Sequence, residues 1–182
     1  MTALAAPSNV RRKIHVIQGE HAVSADPNTV LTTVLGSCVA ACLHDPERAV
    51  GGMNHFLLAG DGADDRVAEE SMRYGAYAME VLVNDLMKLG ARRDRLEAKI
   101  FGGAKMIDTL NDIGAANAAF ARRFLSDESI PIIAASLGGW RARRIEFWPV
   151  SGRARQREVE RSGVVLEAPR PEPVVGNDVE FF

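Results

Sequence analysis

TVLTTVLGSCVAACLHDPERAVGGMNHFLL, residues 29–58, decides the fold. Three apolar and β-prone runs, at about 29–35, 38–44 and 50–58, are separated by Gly36-Ser37 and by Asp45-Pro46-Glu47-Arg48. Val, Leu and Thr suit the pleated surface of a sheet, and Gly-Ser and Asp-Pro punctuate it. With an earlier run at about 14–23, closed by Asp26-Pro27-Asn28, the stretch reads as an antiparallel meander.

Downstream the period changes. Met72, Ala76, Met79, Val83 and Leu86 fall on one face of a helix that Gly90 ends, with Lys88 in the last turn to suit the helix dipole. A strand at about 96–101 leads through Gly102-Gly103 to a second amphipathic helix, with Asp112 as N-cap and Ile113, Asn117, Phe120 and Phe124 on one face. Pro131–Ser136, Arg141–Val150 and Arg153–Glu160 read as further strands, the last two joined through Ser151-Gly152. Strands at both ends around two helices predict an α+β fold, the helices covering one face of a strand-rich sandwich. Residues 1–12 read as a flexible arm, 13–167 as a single domain, and 168–182, with Pro169, Pro171 and Pro173, as an extended tail.

Composition narrows the function. A chain of 182 residues, 47% apolar, holds one substantial core. A net charge of -2 gives no general attraction to nucleic acid or anionic membrane. No stretch approaches the ~18 apolar residues that a membrane span needs, and the N-terminal residues make a poor signal peptide. Two cysteines without an export signal fit the reducing cytoplasm rather than a disulfide scaffold.

Cys38 and His55 are the candidate chemistry. A thiol at a Gly-Ser corner and an imidazole seventeen residues on are the nucleophile and proton acceptor of thiol-dependent amide hydrolysis. Amides around Gly36, Ser37 and Cys38 can converge on a developing oxyanion, because glycine permits the bend that aims them. Thr32, six residues before Cys38, is the candidate for fixing the imidazole tautomer. A free cysteine also serves as a small apolar core residue, so the pair becomes a site only if the fold joins it. His15, His21 and His44 read as surface or turn residues. Cys38, Cys42, His44 and His55 lack the spacing of a zinc site, Cys42 reading as apolar filler. Gly102-Gly103-Ala104-Lys105 lacks the phosphate-loop pattern and reads as close backbone packing near the Cys38 turn.

These residues resemble the chemoreceptor glutamine deamidase family, CheD. The resemblance rests on Thr32-x-x-Leu35-Gly36-Ser37-Cys38-Val39, Asp45-Pro46 and Gly52-Met53-Asn54-His55. Glu97 through Met106, Ile113 through Asn117 and Gly138 through Arg143 follow in order, so the likeness spans about residues 14–161. It implies a layered α/β/β sandwich, with Cys38 as nucleophile, His55 as base and acid, and Thr32 orienting His55. It implies conversion of glutamines of methyl-accepting chemotaxis receptors to glutamate in the cytoplasm, with no metal or cofactor. A CheC-type phosphatase is an implied partner. The alternative is a regulatory protein that docks on receptors or on that phosphatase without turnover.

Trp140 stands where the family carries a polar residue, and reads as half-buried or as bordering a partner surface. Arg141, Arg143, Arg144, Arg153, Arg155, Arg157 and Arg161 make the last strands basic, a solvated face or a guide for acidic partners. Asn177-Asp178-Val179-Glu180-Phe181-Phe182 is faintly similar to receptor tails that tether the methyltransferase.

Overall fold

The run that reads as one meander is divided between two sheets. In the computed structural model of the chain, which describes residues 12–58, 65–106 and 112–159, nine strands and two long helices are laid out in order. They are β1 (Arg12–His15), β2 (His21–Ser24), β3 (Thr29–Leu35), β4 (Val39–Asp45), β5 (Val50–Asn54), α1 (Asp65–Lys88), β6 (Glu97–Gly102), α2 (Ile113–Asp127), β7 (Ile132–Leu137), β8 (Ala142–Trp148) and β9 (Arg153–Val159). One sheet has the order β1-β3-β8-β9 and the other β2-β5-β4-β6-β7. β4 and β5 are antiparallel neighbours, as the sequence suggests, but β3 is not the hairpin partner of β4. Gly36-Ser37 instead carries the chain from one sheet to the other.

The reason lies in β4, which is apolar on both faces. Val39, Ala41 and Leu43 join the core beneath the helices, while Ala40 and Cys42 join the core between the sheets. A strand that must bury both faces belongs in a central layer. Both helices pack on the five-stranded sheet, and Leu31, Leu35, Ile145 and Phe147 of the four-stranded sheet close its other side. The result is an α+β fold in three layers, helices over sheet over sheet, consistent with the expected sandwich.

α2 begins as predicted: the Asp112 carboxylate accepts from Ala115 N–H at 2.9 Å. α1 ends as predicted, with Gly90 at φ 91° and Ala91 N–H closing on the Leu86 carbonyl. Its buried stripe departs from the expected one at the N-terminal side, where Met72 is exposed and Gly75 is buried. α2 crosses there: a Cβ on Gly75 would lie 2.8 Å from the Phe120 ring, so contact with a second helix displaces the stripe. The arm, except for Arg12 at the start of β1, and the whole tail lie outside the described residues.

Candidate active site

The site is built on the bend between the sheets. Three successive carbonyls of that bend are anchored into the protein body. Gly36 O accepts from Ala104 N–H at 2.9 Å, Ser37 O from Asn117 Nδ2 at 3.2 Å, and Cys38 O from Gly103 N–H at 2.7 Å. In a trans peptide the N–H opposes the C=O. Anchoring Gly36 O and Ser37 O therefore turns the Ser37 and Cys38 N–H groups away from those partners, and the Cys38 amide bonds its own sulfur. Gly102 makes the anchoring possible. At φ 111° it has a backbone that side chains rarely adopt, and a Cβ there would lie 2.1 Å from Cys38 O. Gly36, Ser37, Gly102 and Gly103 thus meet around one turn.

Cys38 is half-buried at the mouth of this turn, with its thiol against Gln18 Oε1 at 3.6 Å. Burial pushes the thiol pKa up to about 11, against the opposing pull of its own amide. The group at rest is therefore a neutral thiol, donating to the Gln18 carboxamide, and not the thiolate that a catalytic cysteine is usually expected to carry.

His55 follows β5 and is held on every side but one. Its N–H donates to Glu20 O at 3.0 Å, its carbonyl accepts from Gly19 N–H at 2.8 Å, and the Val39–Phe56 bridge sets it beside the start of β4. The ring Nδ1 lies 2.9 Å from Thr33 Oγ1 and 3.3 Å from Val16 O. The Thr33 hydroxyl donates its proton to Val16 O at 2.7 Å, so its oxygen is left to accept. Two acceptors facing Nδ1 require the proton there, which leaves the lone pair on Nε2. Nε2 is buried and has no hydrogen-bond partner among the described residues. Burial also holds the imidazole below its ordinary pKa of 6.5, the Val16 bond opposing it. The ring is accordingly a neutral base with one free nitrogen.

Thr33, not Thr32, supplies the hydroxyl. Side chains alternate along a strand, and Leu31, Thr33 and Leu35 share the face that looks between the sheets. Thr32 projects from the other face and contributes through its carbonyl, which accepts from Val16 N–H at 2.9 Å. Counting six residues back from Cys38 assumes a regular strand, and the bend at Gly36-Ser37 breaks that count.

Two supporting residues carry little signal in the sequence. Gln18 lies in the interruption between β1 and β2, inside what reads as one strand. Asn117 is fully buried, and its Oδ1 accepts from Leu58 N–H at 2.7 Å while its Nδ2 donates to Ser37 O. It therefore ties the thiol turn to the segment after His55. A buried polar residue on the apolar face of α2 is the pattern that could have marked it.

The other candidates go elsewhere. Cys42 is 1% exposed in the core between the sheets, and the His44 Nε2 hydrogen-bonds Val150 O at 3.1 Å. Among the described residues no three His, Cys, Asp or Glu side chains gather as metal ligands would. His21 is bonded to Asp85 of α1 at 2.7 Å. Trp140 is 66% exposed rather than half-buried, beneath the Lys105 ammonium at 5.1 Å. It lines an open groove of about 480 Å³ that begins at Gly103. The basic strands use part of their charge internally: Arg155 and Lys13 pair with Glu146, and Arg153 and Arg155 lie over the Trp148 ring.

A neutral thiol, a tautomer-fixed imidazole and a turn whose Ser37 and Cys38 amides face away from its anchors, set at one end of stacked sheets, are the groups that carbonyl chemistry through sulfur calls for. The profile of the family described as CheD chemotactic sensory transduction matches residues 57–158. Over 175 residues the chain is 61% identical to the probable chemoreceptor glutamine deamidase CheD of Caulobacter vibrioides, covering 93% of each. It is 53% identical to the protein of the same name from Rhizobium etli and 54% identical to that from Agrobacterium fabrum, spanning 94% of this chain and 96% and 97% of those. The chain belongs to the CheD family.

Proposed function

We propose that the chain is a glutamine deamidase of chemoreceptors, with Cys38 as nucleophile and His55 as proton carrier. The observation that supports this reading most is the buried, unpartnered Nε2 of His55, which carries a lone pair because Thr33 and Val16 hold the proton on Nδ1. A neutral imidazole with that lone pair can take the thiol proton as the sulfur attacks a substrate.

The steps follow from the groups present. A receptor glutamine enters beside Cys38, and His55 Nε2 takes the thiol proton as sulfur bonds to the carboxamide carbon. The oxyanion is received by the Ser37 and Cys38 N–H groups. His55 returns the proton to the nitrogen, the C–N bond breaks and ammonia leaves a thioester. Water, deprotonated by the same Nε2, then attacks the thioester, the C–S bond breaks, and glutamate and the thiol are restored. Residues 13–167 form the catalytic domain, and the cytoplasm, where the receptor substrate presents its helices, is its location. No helix among the described residues is long and apolar enough to cross a membrane.

A regulatory docking role is the second reading, favoured by exposed Trp140 and the groove that starts beside the thiol turn. A partner of the CheC phosphatase type seated there would compete with receptor. Intact-mass analysis of a receptor cytoplasmic fragment separates the two. Wild-type protein adds about one mass unit per converted glutamine and releases one ammonia, and Cys38→Ala adds none. Undiminished conversion by Cys38→Ala would overturn the catalytic reading.

A further inference from the structure

Among the described residues, the side chain bonded to the Cys38 thiol is itself a primary carboxamide, the functional group of the proposed substrate. Gln18 sits in a tight turn, closed by Glu20 N–H on Ile17 O at 3.0 Å. That turn is fastened at both ends to the site: Val16 to Thr32 and Thr33, and Gly19 and Glu20 to the backbone of His55. The backbone beneath Gln18 is thus fixed by the groups that fix the imidazole, while its side chain is exposed and free to change rotamer.

We propose that Gln18 is a resident occupant of the carboxamide subsite, which a substrate glutamine must displace before the sulfur can attack. The idea rests on the catalytic reading above. Two observations carry it. The Gln18 oxygen takes the thiol hydrogen, so its carboxamide lies against the sulfur that an incoming one must reach. Among the described residues the buried Nε2 of His55 has no partner, and the thiol hydrogen is given to Gln18 instead.

The resting contact is also unproductive. Attack requires sulfur to face the carboxamide carbon with the oxygen on the Ser37 and Cys38 amides, whereas in Gln18 the oxygen faces the sulfur. A carboxamide held by its oxygen keeps the thiol protonated and is not itself cleaved. The titratable groups on the segments that meet here are His55 after β5, Glu20 in the turn of Gln18, and Lys105 beyond β6, whose ammonium lies over Trp140. Gln18 is therefore a positioning residue that sets the condition for ionising the thiol: arrival of a second carboxamide.

The test reads the thiol without turnover. Alkylation of Cys38 by iodoacetamide is followed by peptide mass against pH in the full chain. Gln18→Ala is expected to react about 5- to 10-fold faster at pH 8, with its profile moved to lower pH, because a thiol without its acceptor ionises more readily. Gln18→Asn, one methylene short of the sulfur, behaves as Gln18→Ala. Gln18→Glu, which sets a carboxylate there, reacts more slowly than wild type. With the receptor fragment, KM falls in Gln18→Ala by more than kcat changes.

In wild-type protein the Gln18 peptide keeps its mass on prolonged incubation. Alkylation profiles that coincide for wild type, Gln18→Ala and Gln18→Asn would overturn the proposal, as would a raised KM or conversion of Gln18 to glutamate. Loss of the catalytic reading is seen separately, as deamidation by Cys38→Ala.

Discussion

Cys38 and Cys42 stand four residues apart, at the start of and within the same strand, and their surroundings differ. At the Cys38 end the strand is just beginning, the thiol is half-buried, and His55, set beside the start of the strand, keeps a nitrogen without a partner among the described residues. At the other end Cys42 is enclosed between the sheets, and His44 spends its Nε2 on the Val150 carbonyl. Asp45 closes that end: it is buried, accepts from the N–H groups of Glu47, Arg48 and Arg92 at 2.9 to 3.0 Å, and faces the Arg95 guanidinium at 3.4 Å. The lesson is that residue type does not make the site. An unspent imidazole nitrogen near a half-exposed thiol marks the candidate, and an imidazole nitrogen spent on a backbone carbonyl beside an enclosed thiol makes structure.

The most severe way to break this comparison is to remove the two sulfurs in turn. Cys38→Ala should lower deamidation by at least about 1,000-fold with little change in thermal midpoint. Cys42→Ala should keep activity and lose about 1 kcal/mol of stability, the cost of a small core vacancy. Receptor mass analysis and thermal unfolding read both, and comparable activity loss in the two variants would erase the distinction.

The two threonines offer a finer cut. Thr33→Val leaves the His55 Nδ1–H with Val16 O alone, and should reduce kcat about 10- to 100-fold. Thr32→Val, on the other face of β3, should cost less than about threefold in kcat. Steady-state kinetics on the receptor fragment would show whether the order reverses.

At the far end, Asp45→Asn puts an amide before donors that want an acceptor, and should cost about 2 to 3 kcal/mol at neutral pH. Burial raises the Asp45 pKa, but the amides of Arg48 and Arg92 and the charge of Arg95 outweigh it and hold the carboxyl below its ordinary 3.8. Its folded pKa being depressed, the stabilisation is complete above that ordinary value and is lost as pH falls through the lower folded one. Urea denaturation at graded pH should therefore show the gap between wild type and Asp45→Asn closing only below about 3.8.

The smallest effect is in the pH profile. Since burial keeps His55 neutral to below 6.5, the acid limb of kcat/KM should fall below that value. Activity should change less than about threefold between pH 6.5 and 8. A half-maximal point above 6.5 would contradict the neutral-imidazole site.

Most of the secondary structure was legible because its signals are local. The Asp112 cap, the Gly90 stop and the hairpin through Ser151-Gly152 each depend on a few adjacent residues, and all stand where the sequence puts them. The Cys38 turn was legible for the same reason, and its glycine partners at 102 and 103 carry the signature of close packing, which the carbonyl anchors explain. The division of β3 and β4 between sheets was not legible. A Gly-Ser bend serves a hairpin and a sheet-to-sheet crossing equally well, and only the two-faced burial of β4 chooses.

By itself the chain determined its periods, its caps and the identity of a thiol and an imidazole, all written in residues that are neighbours or one turn apart. The tertiary structure alone decided that Thr33 and not Thr32 meets His55, that Gln18 meets the sulfur, and that Asn117 ties the turn in place. Those contacts join residues 20 to 80 positions apart. No local preference encodes which face of a strand looks inward until another layer has been packed against it.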